Sequence, residues 1–112
     1  MCGAWNNEEN RMKWFAFSVM DTDAGYYERP IVARSEHEGR RMMVDIVASG
    51  EGPIANHPES FVLMVVGHWD DNQGHFDPCV PQKVITGLEA VALAKAKLGV
   101  LNKENLEELD DA

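Results

Sequence analysis

Positive charge is the scarcest commodity in this chain: ten Lys and Arg stand against nineteen Asp and Glu in 112 residues, a formal net charge of −9. Such a chain gains little from releasing counterions around duplex DNA, which excludes tight, purely electrostatic duplex binding. Cysteine is nearly absent. Cys2 and Cys79 are too few for a disulfide framework, and a reducing compartment would keep both as free thiols, which is the expectation here. No apolar run approaches the roughly 18–20 residues that cross a bilayer. Residues 1–11 show neither the basic start nor the apolar stretch of a signal peptide, so an intracellular protein with no membrane partner is expected.

Catalytic signatures are missing too. Gly50-x-Gly52-Pro53 ends in proline and closes a helix, so it cannot cradle phosphate as a glycine loop opening a helix does. No nucleophile-elbow pattern surrounds Ser18, Ser35, Ser49 or Ser60. His68, Asp70, Asp71, His75, Asp77 and Cys79 are metal-ligand types gathered in one short stretch, yet no C-x-x-C or H-E-x-x-H spacing joins them. On a strand His68 and Asp70 would point the same way, and Asp77 could meet them across the ladder, but turn chemistry already accounts for the carboxylates. No metal, no cofactor and no enzyme activity is expected.

What the chain does contain is enough apolar residue, 45%, for one modest core. Residues 1–11 read as a flexible extension, 12–101 as a single domain, and 102–112 as an acidic segment of net charge −4. Trp14 to Met20 alternates Phe15, Phe17 and Val19 with Trp14, Ala16, Ser18 and Met20. Both sets are largely apolar, so a central strand covered on both faces is predicted. Asp21 to Gly25 is turn chemistry. Tyr26 to Val32 contains Pro30, which cannot donate to a ladder, so at best it is an edge strand or an extended loop.

Ser35 and Glu38 form a capping box opening a helix over 36–49, whose apolar stripe is Met42, Met43, Ile46 and Val47. Residues 50–60 read as a loop. Phe61 to Gly67 is short and β-branched, a buried strand. Through Asp70-Asp71-Asn72-Gln73-Gly74 it turns into a second strand near 75–79, a hairpin closed by a left-handed glycine. Thr86 and Glu89 form a second capping box for a helix over 87–98, which Gly99 is expected to stop. The fold class is therefore α+β: a small antiparallel sheet of three to four strands with two helices packed on it. Its two open edges make a homodimer by sheet extension plausible.

Residues 29–41 run against the acidic background, with Arg29, Arg34, Arg40 and Arg41 against Glu36 and Glu38, a net of +2. The ordinary reading of such a stretch is a solvated helix face. Yet Tyr26 and Tyr27 lie beside it, with Trp14 or Trp69 as further candidates. Aromatics interleaved with arginines bind single-stranded nucleic acid, because base stacking tolerates weak positive charge. The candidate nucleic-acid-binding residues are thus Tyr26, Tyr27, Arg29, Arg34, Arg40 and Arg41. The competing reading is that the tyrosines merely cover the sheet edge, rings packed and hydroxyls wet.

The ordered motifs from Met12 to Pro81 add a resemblance. They are Met12-Lys13-Trp14-Phe15, Pro30-Ile31-Val32-Ala33-Arg34, His57-Pro58-Glu59-Ser60-Phe61, Gly67-His68-Trp69-Asp70-Asp71 and Gly74-His75-Phe76. In this order the chain resembles the small non-structural protein of gokushovirus-type phages, the single-stranded-DNA Microviridae. Gly39 departs from that pattern, which tends to have alanine there, and residues 1–11 and the acidic end lie outside it. The resemblance implies a non-enzymatic accessory protein of the host cytoplasm, acting in synthesis or packaging of a circular single-stranded genome. Its partner would be single-stranded DNA or the viral replication and packaging proteins. The alternative is an adaptor that engages a basic viral or host protein without touching DNA.

Overall fold

The computed structural model describes residues 13–110, and their side chains as far as residue 99. Strand β1 (Lys13–Asp21) is followed by two short strands, β2 (Tyr26–Tyr27) and β3 (Ile31–Ala33). Helix α1 (Glu36–Ser49), the short helix α2 (Gly52–Asn56) and a single 3-10 turn (Pro58–Ser60) lead into β4 (Phe61–Asp70). Strand β5 (His75–Thr86) and helix α3 (Gly87–Asp110) complete the chain. The sheet is antiparallel and five-stranded. β4 lies between β1 and β5, while β2 and β3 share the outer edge of β1. The expected α+β class is the one observed.

Two hairpins are closed by the same device. In each, an aspartate accepts hydrogen bonds from two backbone N–H groups of the turn, and a glycine at positive φ ends it. Asp70 Oδ1 accepts from Asn72 and Gln73 at 3.0 Å, and Gly74 has φ +67°. Asp21 Oδ1 accepts from Asp23 and Ala24 at 3.0 Å, and Gly25 has φ +76°. The first hairpin carries a long ladder. The second pairs only two residues before the chain leaves the sheet, and Pro30 intervenes before β3 resumes it. The ambiguous stretch over 26–32 thus becomes two edge strands with a break where no N–H is available.

Both long helices lie on one face of the sheet. Phe17, Phe61, Leu63 and Val65 from the strands meet Met43 of α1 and Ala90 of α3 in a single core. Gly39 lets α1 come down on the sheet: a Cβ there would lie 2.7 Å from the Phe17 ring, so the missing methyl is the space the ring occupies. Among the described residues, the other face carries neither long helix. Ala16 and Ser18 on it are nonetheless buried, as expected for a β1 covered on both faces, and Trp14, Met20, Met64 and Trp69 are half-buried.

Register shifts decide which side chains reach the core. Between Ala16 and Phe17 the β1–β4 register passes over Val66, leaving it as an extra residue on β4. The alternation of β4 reverses at that point. Leu63 and Val65 face the helices, and beyond the shift so do His68, paired with Phe15, and Asp70, paired with Lys13. A second shift, on β5, leaves Val84 unmatched, and the consecutive Val84 and Ile85 are both buried.

Sequence-based element boundaries needed three corrections. The 50–60 loop contains α2 and the 3-10 turn, the former begun by Pro53 in its first turn. β5 continues through Pro78 and Pro81 to Thr86, tolerable because it is an edge strand. α3 does not stop at Gly99 but runs unbroken to Asp110. Gly99 costs about 1 kcal/mol relative to alanine, and strong helix formers on both sides, Ala96, Lys97, Leu98 and Leu101, carry the helix across it.

Both capping boxes form, one with an altered partner. Thr86 Oγ1 accepts from the Glu89 N–H at 3.0 Å, and Glu89 Oε1 accepts from the Thr86 N–H at 3.2 Å. The Thr86 backbone N–H, the Thr86 side chain and Lys83 Nζ together hold the Glu89 carboxyl below its ordinary range. Ser35 Oγ accepts from the Glu38 N–H at 3.2 Å, but the Glu38 carboxylate takes the Arg34 N–H, at 2.8 Å, rather than that of Ser35.

Candidate functional site

The face of the sheet that neither long helix covers among the described residues carries a row of aromatic side chains at one end. Trp14 of β1 pairs with Trp69 of β4, and Trp69 pairs with Phe76 of β5. Strand spacing puts adjacent members of such a row about 5 Å apart along the hydrogen-bonding direction. The row exists because of the shift at Val66; uninterrupted alternation would have placed Trp69 on the same face as Leu63 and Val65, under the helices.

The two outer rings are each held by a specific contact. Trp14 Nε1 donates to Asp71 Oδ2 at 3.1 Å, tying the indole to the β4–β5 turn. Phe76 lies over Gly67: a Cβ at that glycine would come within 2.4 Å of the Phe76 ring and 2.7 Å of the Asp77 carbonyl oxygen. Gly67 is therefore the socket into which the ring is laid. At the β1 end of the row, the Arg34 guanidinium carbon sits 5.0 Å from the Trp14 ring centroid, a cation–π contact. The result is an aromatic row with a guanidinium at one end.

The six residues singled out from sequence do not form one cluster. Arg34, which follows β3, is the one that joins the aromatic row. Tyr27 pairs with Met20 and so shares the row's sheet face, about 20 Å further along β1. Tyr26 pairs with Asp21 on the opposite parity, and its hydroxyl donates to Glu28 Oε1 at 3.1 Å. That hydrogen bond, more than any other influence, raises the Tyr26 phenol above its ordinary range. Arg29 is exposed in the link between β2 and β3. Arg40 lines a hollow with Val84, Ile85 and Glu89, while Arg41 lies in another with Glu38 and Asp45 on the outer side of α1. Trp14 and Trp69, secondary candidates in the sequence, become the centre of the site, and Phe76 had not been singled out at all. Its signal was the small residue opposite an aromatic across a hairpin, Gly67 against Phe76.

The second constellation, on the β4–β5 hairpin, is explained by structure. Asp70 is occupied by the turn, Asp71 by Trp14, and Asp77 by His75 at 3.0 Å and Lys13 at 3.9 Å. His68 is buried against Phe15, ring centroids 5.0 Å apart, and burial pushes its imidazole below the usual 6.5. Among the described residues no three His, Cys, Asp or Glu side chains converge as metal ligands would. Cys79 is disulfide-bonded rather than the free thiol expected, and its partner lies outside the described residues. The expectation rested on the small number of cysteines and on the compartment, neither of which says whether two sulfurs are brought together. Among the described residues no helix is long and apolar enough to cross a membrane.

None of the curated proteins and none of the solved structures compared with the chain matches it. A family profile does. It spans residues 14–90, from the first tryptophan of the aromatic row to the first turns of α3, and takes in every described residue discussed above as part of the site. The match covers well over half of the sequence, and on that ground the chain belongs to the Phage ORF5 protein family, a family of phage proteins.

Proposed function

We propose that this phage protein is a non-enzymatic, non-structural accessory factor of a gokushovirus-type member of the Microviridae. It would hold single-stranded DNA on the sheet face opposite α1 and α3 during synthesis or packaging of the circular genome. The observation that carries the reading is the Trp14–Trp69–Phe76 row with Arg34 at its end. Unpaired bases stack on such rings without regard to sequence, at about 1–3 kcal/mol per base, and a guanidinium beside them meets the phosphate. Stacking is the term this protein needs, because a net charge of −9 leaves little general attraction for the backbone. Duplex DNA, whose bases are already stacked on each other, offers the row nothing.

The test is a titration of labelled single-stranded and duplex oligonucleotides at about 20 mM salt, where phosphate contacts are strongest. Single-stranded binding that quenches tryptophan fluorescence is expected, with duplex binding much weaker. Trp14→Leu should weaken it by about tenfold or more, the loss of one stacked base. Arg34→Gln should weaken it less and flatten the salt dependence. Absence of single-stranded binding at low salt would sink the reading and leave the adaptor for a basic protein, which the acidity of the chain favours.

A further inference from the structure

On the opposite side of the molecule, α1 and α3 leave a groove between them of about 450 Å³, with Ala55 of α2 also contributing to its lining. Its walls are apolar, Val44, Val47 and Ala48 from α1 and Val91, Ala94 and Leu98 from α3. Lys95 and Lys97 of α3 also line it, against the single carboxylate of Asp45. The groove therefore suits an amphipathic segment that is apolar on one side and acidic on the other.

The chain contains one such segment. Residues 100–112 carry Leu101, Leu106 and Leu109, which helical spacing gathers on one side, and Glu104, Glu107, Glu108, Asp110 and Asp111, which it gathers on the other. It cannot reach the groove of its own chain. α3 is continuous from Gly87 to Asp110, so residues 100–110 belong to the same rigid rod as Val91, Ala94 and Leu98, and the twelve residues beyond Leu98 extend about 18 Å further along it. A rod does not fold back on its own flank.

We infer that the groove is filled by the acidic half of α3 from a second copy of this chain, each copy giving its acidic half to the other. The exchange is reciprocal, so the interface is a closed twofold one and stops at a dimer. Exposed Leu98, 58% accessible in the single chain, is the apolar contact at its centre, and Lys95 and Lys97 meet the acidic side chains at its rim. This inference stands independently of DNA binding, since it uses the helical side of the molecule and not the aromatic row. It also differs from the sheet extension anticipated from sequence, because β2, β3 and β5 take no part in it.

Light scattering and sedimentation of the full chain test it. A dimer is expected at concentrations on the order of 100 µM, above a micromolar-class dissociation constant. Lys95→Glu with Lys97→Glu should raise that constant about tenfold through the loss of the rim pairs, and the effect should shrink in high salt. Glu107→Lys with Glu108→Lys should do the same, and mixing the two reversed proteins should restore dimer as a heterodimer. Leu98→Glu, at an exposed site that leaves the core intact, should give monomer with an unchanged circular dichroism spectrum. A monomeric parent chain overturns the inference, as does a dimer that survives Leu98→Glu or two reversed proteins that do not pair.

Discussion

The two faces of this sheet are made by the same strands and are both largely apolar, yet they are built differently. On β1 the residues alternate between a set that disappears under α1 and α3, with Phe17 at its centre, and a set headed by Trp14 that no long helix covers among the described residues. Apolar content does not separate them. What separates them is shape and anchorage. The covered face is aliphatic and aromatic residues interdigitating with Met43 and Ala90. The other holds Trp14 with an aspartate and a guanidinium and lays Phe76 in a glycine socket. The covered face fills space, whereas the other holds single rings at particular places.

Phe17→Ala should break the covered face most severely. The ring is fully buried, and its removal should cost about 3–5 kcal/mol. That is a large part of the 5–15 kcal/mol typical of a small domain. Urea denaturation should show the midpoint falling steeply, and a loss below about 1 kcal/mol would mean that this side chain is not the keystone of the core.

On the open face the corresponding change is an addition. Gly67→Val would put a branched side chain where the Phe76 ring and the Asp77 carbonyl now lie. We expect a cost of about 1–3 kcal/mol: the Phe76 ring can swing into solvent, but the Asp77 carbonyl is backbone, so β5 itself must give way. The displaced ring is the more telling readout. Single-stranded DNA affinity should fall with Gly67→Val and hold with a change on the covered face that leaves the fold standing. Equal effects on binding from both faces would erase the distinction between them.

How far this contrast was legible in the sequence depended on whether its cause was local. Ser35 and Thr86 announce their helices, and Asp70 with Gly74 announces the hairpin, because a cap or a turn is a contract among four or five neighbouring residues. Trp14 and Arg34 were both visible as candidates, though not that one would lie over the other. Strict alternation fails at Val66, where the β1–β4 register shifts, and nothing local in Val-Val-Gly predicts that the register of a strand fifty residues away will skip a residue there. That one skip exchanges the faces of His68 and Trp69, creating the aromatic row and burying a histidine together. Gly99 misled for the opposite reason: a strong local stop signal was overridden by the helix formers around it.

His68 is therefore the covered face's counterpart to Trp69, and it supplies the finest test of the comparison. Burial beside Phe15 lowers its pKa below 6.5; Lys13 lowers it slightly further, and Asp77, its cross-strand partner, offsets part of the effect. A folded-state pKa below the unfolded one means that the unfolded chain takes up the proton first. Stability contributed by neutral His68 is fully present above pH 6.5 and drains away as the pH falls through that value towards the folded pKa. His68→Phe keeps a ring against Phe15 and removes the titration. Unfolding free energy of the parent chain should decline just below neutrality while that of His68→Phe stays level, until the carboxylates titrate in both. Parallel curves would mean that the imidazole is as well solvated as an exposed one, and that the register shift at Val66 does not carry His68 beneath the helices.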